Sequence, residues 1–435
     1  MTGNFSSLEE FYDEVARKFL EECVFCGQCM DNCPLVLVLL KDTPSQRIME
    51  EVASFLKDGE HSEEVYLKAF ACTLCAECSN VCPQGIDVME VFCKVRNEFF
   101  KRGRIPDALK FFEKEFVNSK GRSDFLRVLS AIQFKPSEIR WLRKVPSKPK
   151  QTENLLFLGC IFTHFPHITL PLLDILESTG IDFMAIAGDT VKDGKTLCCG
   201  FPFAMSGNIK QMEKDAKGLI SAFKLFSPKT VITTCESCHR FITKIYNMLF
   251  DMDFKVEYCA EFLLDNIDKI EFKKRIEKTV YFQDSCSGRS AKVDTYSRRL
   301  LEKIPGVKVV KGQRLCCGGT PKRSFIEFYK KNVSGYREAL AGKIMESKCE
   351  ILTFQCPNCE LAFSPHVDEQ PFAVKNVLAL INEAIGGRIY ENRWLKYWKC
   401  KNEDEIIKVS REYFEANGMS EDEARKALPF ILSWK

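Results

Sequence analysis

Eighteen of the 22 cysteines in this 435-residue chain fall into four groups, each spaced like an iron–sulfur cluster site. Cys23, Cys26, Cys29 and Cys33 are followed by Pro34, and Cys72, Cys75, Cys78 and Cys82 by Pro83. This is the ferredoxin run C-x2-C-x2-C-x3-C-P, present twice. Three thiolates of such a run wrap one [4Fe–4S] cubane, and the fourth normally crosses to the other cluster. One cubane is therefore expected on Cys23, Cys26, Cys29 and Cys82, the other on Cys72, Cys75, Cys78 and Cys33. Zinc is the competing reading, but zinc-binding cysteine pairs usually lack the third and fourth members.

The other two groups share a rarer layout: a lone cysteine, a vicinal Cys-Cys-Gly, then Cys-x-x-Cys. They comprise Cys160, Cys198, Cys199, Cys235 and Cys238, and Cys286, Cys316, Cys317, Cys356 and Cys359. Tetrahedral zinc needs four ligands, not five. A metal-free redox disulfide is the remaining alternative. Cys93, Cys259, Cys349 and Cys400 are isolated and read as buried structural thiols. Of five histidines, His239 follows Cys238 and His164 lies four residues after Cys160. Basic residues crowd the second five-cysteine unit (Arg289, Lys292, Arg298, Arg299, Lys311, Arg314, Lys322 and Arg323), as a solvated face or as an attractor for a sulfonate- or phosphate-bearing thiol.

The elements that must hold these cysteines differ along the chain. Residues 1–134 read as a helical ferredoxin-type domain. Ser7-x-x-Glu10 is a capping box, Thr43-Pro44 would open a second helix with proline at its first position, and Asp87-x-x-Glu90 a third. Residues 135–153, with three prolines and an excess of basic residues, read as a linker. From 154 strands alternate with helices: NLLFLGC, IDFMAIAG, TVITTC and FKVEY, then TVYFQDSC, VKVV and CEILTFQC. Helices are expected at about Ile209–Phe226 and Val333–Glu346. Two similar units occupy 154–270 and 279–387. Each should form a Rossmann-like parallel sheet with its cysteines at the strand C-terminal ends, where α/β sites lie. The fold class is thus α + α/β. Residues 388–435 read as a helical extension, with a capping box at Ser420-x-x-Glu423.

A net charge of +3 gives no argument for nucleic-acid binding. The first residues lack the pattern of a secretory signal, and abundant thiols argue for a cytoplasmic, metal-ligating protein of an anaerobic host. Without a Gly-x-Gly-x-x-Gly fingerprint, any flavin or NAD must sit on another subunit.

The two five-cysteine units resemble the CCG domains of heterodisulfide reductase. FLGC with Phe165-Pro166, CCGFP with Ser206-Gly207, CCGG and CPNC carry the likeness. Fused to a two-cubane part, they resemble the D-type catalytic subunit of the membrane-linked enzyme over roughly residues 15–385. The resemblance implies a noncubane [4Fe–4S] cluster on each five-cysteine set and a small disulfide substrate cleaved between them. A cubane takes four thiolates, so a fifth can bridge irons and open the cluster. Gly200 and Gly318-Gly319 would let backbone amides approach sulfur without a Cβ clash. The resemblance also implies an electron-donating flavoprotein or membrane cytochrome, with membrane association only through that partner.

One departure matters. The family's second unit commonly reads His-Asp-Pro-Cys-His, whereas here it is Gln283-Asp284-Ser285-Cys286-Ser287. The histidine that could protonate a leaving thiolate is missing. His239 or His164 could replace that proton donor, Arg289 and His239 would be no more than auxiliary, and Asp284 reads as a turn residue that could place a carboxyl nearby. The alternative function is an electron-transfer subunit, its clusters relaying electrons between a flavin dehydrogenase and a quinone or membrane partner.

Overall fold

The computed structural model describes residues 5–117, 119–319 and 334–432. Lys322, Arg323 and Val333 fall outside them. The fold is α + α/β. Its N-terminal part is built on helices Leu8–Glu22, Ser45–Asp58, Glu63–Ala71 and Val88–Lys101. Ser7 caps the first by accepting from the Glu10 amide at 3.2 Å, while the Glu10 carboxylate reaches back to Ser6. Pro44 stands just before the second helix instead of inside it. Asp87 does not cap the fourth helix. It accepts from Ser79 Oγ at 2.6 Å and pairs with Arg240 and Lys244, fastening the helical part to the first α/β unit.

The first sheet contains β1 (Leu142–Lys144), β2 (Asn154–Phe157), β3 (Met184–Lys192), β4 (Lys195–Thr196), β5 (Thr230–Thr233) and β6 (Lys255–Tyr258). Its order is β1-β3-β2-β5-β6, with all pairs parallel except the β3–β4 hairpin. Residues 142–144, within the stretch expected to link domains, thus form the sheet's edge. Trp141 there is buried and donates to Asp189 at 2.8 Å. The second sheet contains β7 (Thr279–Phe282), β8 (Lys308–Lys311), β9 (Ile351–Phe354) and β10 (Ala373–Asn376), in the parallel order β10-β9-β7-β8. Numbering the four main parallel strands of each unit in chain order, both sheets read 2-1-3-4. The repeat seen in sequence is therefore a repeat of topology.

Alternate residues of the strands feed different cores, as the period of two requires. Leu155 and Phe157 of β2 pack toward the helical part, whereas Leu156 joins a second core with Ile232 of β5 and Val280 and Phe282 of β7. Both faces are covered, so these strands read as unbroken apolar runs. That second core lies between the two sheets. Helix Pro166–Ser178 packs there on Val377–Ala384, and helix Cys259–Asp265 packs on Asp294–Leu301. In each pairing a helix following a unit's first strand meets one following the other unit's fourth, giving the pair an approximate two-fold relation.

The C-terminal helices Arg393–Lys399 and Glu403–Ala416 belong to this core too. Trp394 stacks on Phe165 with ring centroids 5.6 Å apart and donates to the His164 carbonyl at 2.7 Å. No helix among the described residues is long and apolar enough to cross a membrane.

Candidate iron–sulfur sites

The ferredoxin cysteines sit on two matching loops. Each loop enters a one-turn helix, Gln28–Asp31 or Glu77–Asn80, from a left-handed residue, Gly27 or Ala76. Cys23, Cys26, Cys29 and Cys82 line one pocket, mostly apolar, with Phe19, Phe25, Met49, Ile86 and Val88. Burial pushes the Cys29 thiol up to about 12, and the charges of Cys23, Cys82 and Cys26 add to the shift. Burial, then the charges of Cys33 and Cys72, likewise push Cys75 up to about 12. Cys78 feels Cys75, Cys72 and Cys33. The chain therefore gathers Cys82 with the first run and Cys33 with the second. Four sulfurs around one mostly apolar pocket are a donor set that fits a cluster. Cys26 is exposed, while Cys29, Cys33, Cys72 and Cys78 are buried.

In the first α/β unit the strands stop short of the cysteines. β2 ends at Phe157, so the Leu158-Gly159 turn carries Cys160 beyond the sheet edge. There Gly188 comes so close that a Cβ on it would lie 2.4 Å from Cys160 Cα. The β3–β4 hairpin delivers Cys198 and Cys199, and Cys235 follows β5. Hydrogen bonds from Cys198 and Cys238 hold the Cys199 thiol well below its ordinary range, and Cys238 also bonds Cys235. The Gly200 amide reaches Cys198 Sγ at 3.3 Å. Arg122, buried and ion-paired with Asp215, feels the charges of Cys198 and Cys160.

The second unit repeats the pattern. Cys317 and Cys359 sulfurs are 3.1 Å apart, and Cys359 also bonds Cys356. The Gly318 and Gly319 amides point at the Cys316 and Cys317 sulfurs, each at 3.4 Å. Burial, then the charge of Cys75, pushes the Cys286 thiol well up, with Cys316, Cys317 and Cys356 adding. A ferredoxin cysteine therefore borders the second five-cysteine set.

The two five-cysteine sets face one another across the interface between the units. Helix Glu236–Arg240 packs on helix Cys286–Ala291. Ser285 Oγ donates to Glu236 Oε2 at 2.5 Å and accepts from the Gly288 amide at 2.9 Å. Burial pushes the Glu236 carboxyl up to about 7. The Tyr258 side chain is fully buried, its hydroxyl has no hydrogen-bond partner among the described residues, and it senses charges on Glu236, Cys356 and Cys235.

The remaining sequence candidates have defined places. His239 is buried behind β5, its Nδ1 2.8 Å from Thr233 Oγ1, and burial lowers its pKa to about 4. His164 is buried with Thr163 Oγ1 3.2 Å from its Nδ1. Arg289 binds Glu77 of the helical part at 2.7 Å and the Asp284 carbonyl at 3.1 Å, so it bridges domains. Arg298 pairs with Glu302, while Lys292, Arg299, Lys311 and Arg314 are exposed. Cys93, Cys259, Cys349 and Cys400 are all buried.

Sequence reasoning missed Glu236, Tyr258, Arg122 and Lys68. Glu236 carried a signal, since it stands inside Cys235-Glu-Ser-Cys238. Lys68 carried another, as a lysine on the apolar face of helix Glu63–Ala71 one turn before Cys72.

A 4Fe-4S dicluster domain matches residues 19–86, and a cysteine-rich domain matches twice, at 155–243 and 280–364. The D-type subunit of dihydromethanophenazine:CoB–CoM heterodisulfide reductase from Methanosarcina acetivorans is 24% identical over 84% of this chain and 94% of its own length. The B-type subunit of the CoM/CoB fumarate reductase from Methanothermobacter marburgensis is 24% identical over 84% of this chain and 73% of its own length. A probable glycolate oxidase iron–sulfur subunit from Bacillus subtilis is 24% identical over 73% of this chain and 83% of its own.

Proposed function

We propose that this chain, an iron–sulfur protein of the kind represented by the D-type subunit of heterodisulfide reductase, is the catalytic component of a complex that reduces a small disulfide or, in reverse, oxidises two thiols. Two [4Fe–4S] cubanes would be held by Cys23, Cys26, Cys29 and Cys82 and by Cys72, Cys75, Cys78 and Cys33. Two noncubane clusters would be held by Cys160, Cys198, Cys199, Cys235 and Cys238 and by Cys286, Cys316, Cys317, Cys356 and Cys359. Bound, these groups supply one-electron carriers and, at the five-cysteine sites, iron open to a substrate thiolate. The reaction balances as R–S–S–R′ plus two electrons and two protons giving RSH and R′SH. Electrons come from a partner, a flavoprotein or membrane cytochrome.

The observation that carries this reading is the meeting of Cys235-Glu236 with Ser285-Cys286 through one hydrogen bond across the unit interface. Two five-cysteine sets so close can each receive one half of a single small disulfide. The nearness of Cys75 to Cys286 and Cys316 supports electron entry from the helical part. Solvent exposure of Cys26 supports docking of the electron donor at the first cubane. The protein's own residues hold this geometry: Arg289 ties the helical part to the second unit, and Asp87 with Arg240 ties it to the first.

The test is electron paramagnetic resonance on anaerobically purified, mildly oxidised protein of known iron content, with and without candidate thiols. A thiol-dependent paramagnetic signal is expected. Clusters that reduce normally yet respond to no thiol would overturn the reductase reading.

One observation favours a second reading. Ser287 replaces the imidazole after Cys286, and His239 is held by Thr233 in a buried, neutral state. Lacking a histidine at this position, the same clusters would serve as relays between a flavin dehydrogenase and a quinone or membrane partner. The same measurement separates the two.

A further inference from the structure

Lys68 is fully buried, and its ammonium has no hydrogen-bond partner among the described residues. It lies 3.8 Å from the centroid of the Phe92 ring. A ring face is a poor substitute for water around an ammonium, and a cation removed from water must find an anion. Among the described residues, three other buried cations near the cysteine sets have theirs. Arg122 pairs with Asp215, Arg240 with Glu90 and Asp87, and Arg289 with Glu77. Arg96, without a carboxylate, donates to the carbonyls of Ala69 and Cys72.

The ionisable groups that act on Lys68 among the described residues are sulfurs, thiolates when they hold a cluster. They belong to Cys33, Cys72, Cys78 and Cys75. Its charge also reaches Cys29 of the other ferredoxin set. Helix Glu63–Ala71 explains the position. Val65, Lys68, Ala69 and Cys72 fall on one face at three- and four-residue spacing, and that face turns inward. A hydrocarbon side chain would fill this place at no electrostatic cost.

We propose that the Lys68 ammonium is a built-in counter-charge for the two ferredoxin clusters, raising the reduction potentials of both and of the Cys33/Cys72/Cys75/Cys78 cluster more strongly. The inference rests on the cubane assignment given above. Each reduction adds one negative charge to a cluster, and a fixed positive charge inside a low-dielectric core favours that added electron. The effect weights the cluster next to Cys286 and Cys316, so electrons are drawn from the exposed end of the chain toward the second five-cysteine set.

The experiment compares the wild type with Lys68→Met, Lys68→Gln and Lys68→Arg by iron content and by EPR-monitored redox titration. At a fixed ambient potential, both neutral variants should show roughly a tenfold lower ratio of reduced to oxidised second cluster, about 59 mV for a one-electron couple. The first cluster should shift in the same direction by less, and Lys68→Arg should stay near the wild type. Loss of iron in both neutral variants, with retention in Lys68→Arg, would equally support the counter-charge. Wild-type potentials in the neutral variants would overturn it. So would Lys68→Arg losing as much iron as the neutral pair, which would make the role one of packing. A wild type that binds no [4Fe–4S] cluster would instead refute the cubane assignment itself.

Discussion

Ser285 of the second α/β unit donates a hydrogen bond to Glu236 of the first at 2.5 Å, and each residue is the chain neighbour of a cysteine of its own set, Cys286 and Cys235. A second polar contact joins the two units. His167 of the first unit meets Glu360 of the second at 2.9 Å, and Glu360 follows Cys359. Each unit thus has a buried carboxylate next to a cysteine of its Cys-x-x-Cys, at non-equivalent positions: Glu236 after the first cysteine and Glu360 after the second.

Ser285 has two tasks, since it also caps helix Cys286–Ala291 through the Gly288 amide. Ser285→Ala removes the cap, worth about 1 kcal/mol. It also strands a buried acceptor, at about 1–3 kcal/mol. Anaerobic denaturant unfolding should record a loss of roughly 2–4 kcal/mol, and Ser285→Thr should recover most of it. A loss within about 0.5 kcal/mol, typical of an unremarkable surface position, would mean that the bond does not hold the interface.

Asp87 offers a test of how the helical part is fastened. Burial raises its pKa, but Arg240 and Lys244, with hydrogen bonds from Lys244 and Ser79, outweigh burial and leave it lowered. A carboxyl depressed in the folded state adds stability above its unfolded pKa and loses it as pH falls through the folded value. Stability of the wild type should therefore fall as pH drops below the ordinary carboxylate range. Asp87→Asn should be less stable near neutrality by about 2–3 kcal/mol, the scale of charge-assisted hydrogen bonds, and should vary less across that acid range. Parallel pH profiles for the two proteins would count against Asp87 as the fastening group.

Much of this was legible because cysteine spacing is a covalent constraint that survives in one dimension. The expectation that Cys33 and Cys82 cross between sets, and the location of Cys160, Cys235 and Cys356 just past strand ends, follow from local rules about runs and sheet edges. The places of Arg289 and Asp87 were not legible. Each is locally ordinary, a basic residue in a basic stretch and a carboxylate at a helix start, and each acquires its role from a residue far away in sequence, Glu77 or Arg240. Residues 142–144 were hidden for a similar reason. Their proline-rich surroundings read as a linker, whereas pairing with β3 and burial of Trp141 made them a sheet edge.

The C-terminal extension had no chemistry to read, yet it is built into the core between the sheets. Arg393 pairs with Glu138 at 2.8 Å, and Trp394 fills the space over Phe165. Trp394→Ala should cost about 3–5 kcal/mol, as for other buried aromatics cut to alanine. Trp394→Phe should cost less, because it forfeits mainly the bond to the His164 carbonyl. Thermal unfolding followed by tryptophan-independent circular dichroism checks both. Equal stability of Trp394→Ala and wild type would show the extension to be dispensable.

The crossed ligand sets proposed above admit the most direct test in the ferredoxin part. Cys82 belongs to the second run by sequence but lines the pocket of Cys23, Cys26 and Cys29. Cys33 belongs to the first run but gathers with Cys72, Cys75 and Cys78. Cys82→Ala should therefore perturb the same cluster as Cys26→Ala, and Cys33→Ala the same cluster as Cys75→Ala. On the role proposed for Lys68, the two clusters should be distinguishable by potential, since the sulfurs that act on it are those of Cys33, Cys72, Cys75 and Cys78. Each variant should lose iron or gain a three-iron signal in only one of the two redox transitions, with the other unchanged. If Cys82→Ala instead alters the transition that Cys75→Ala alters, each run ligates its own cluster, and the pocket around Cys23 has been assigned the wrong fourth thiolate.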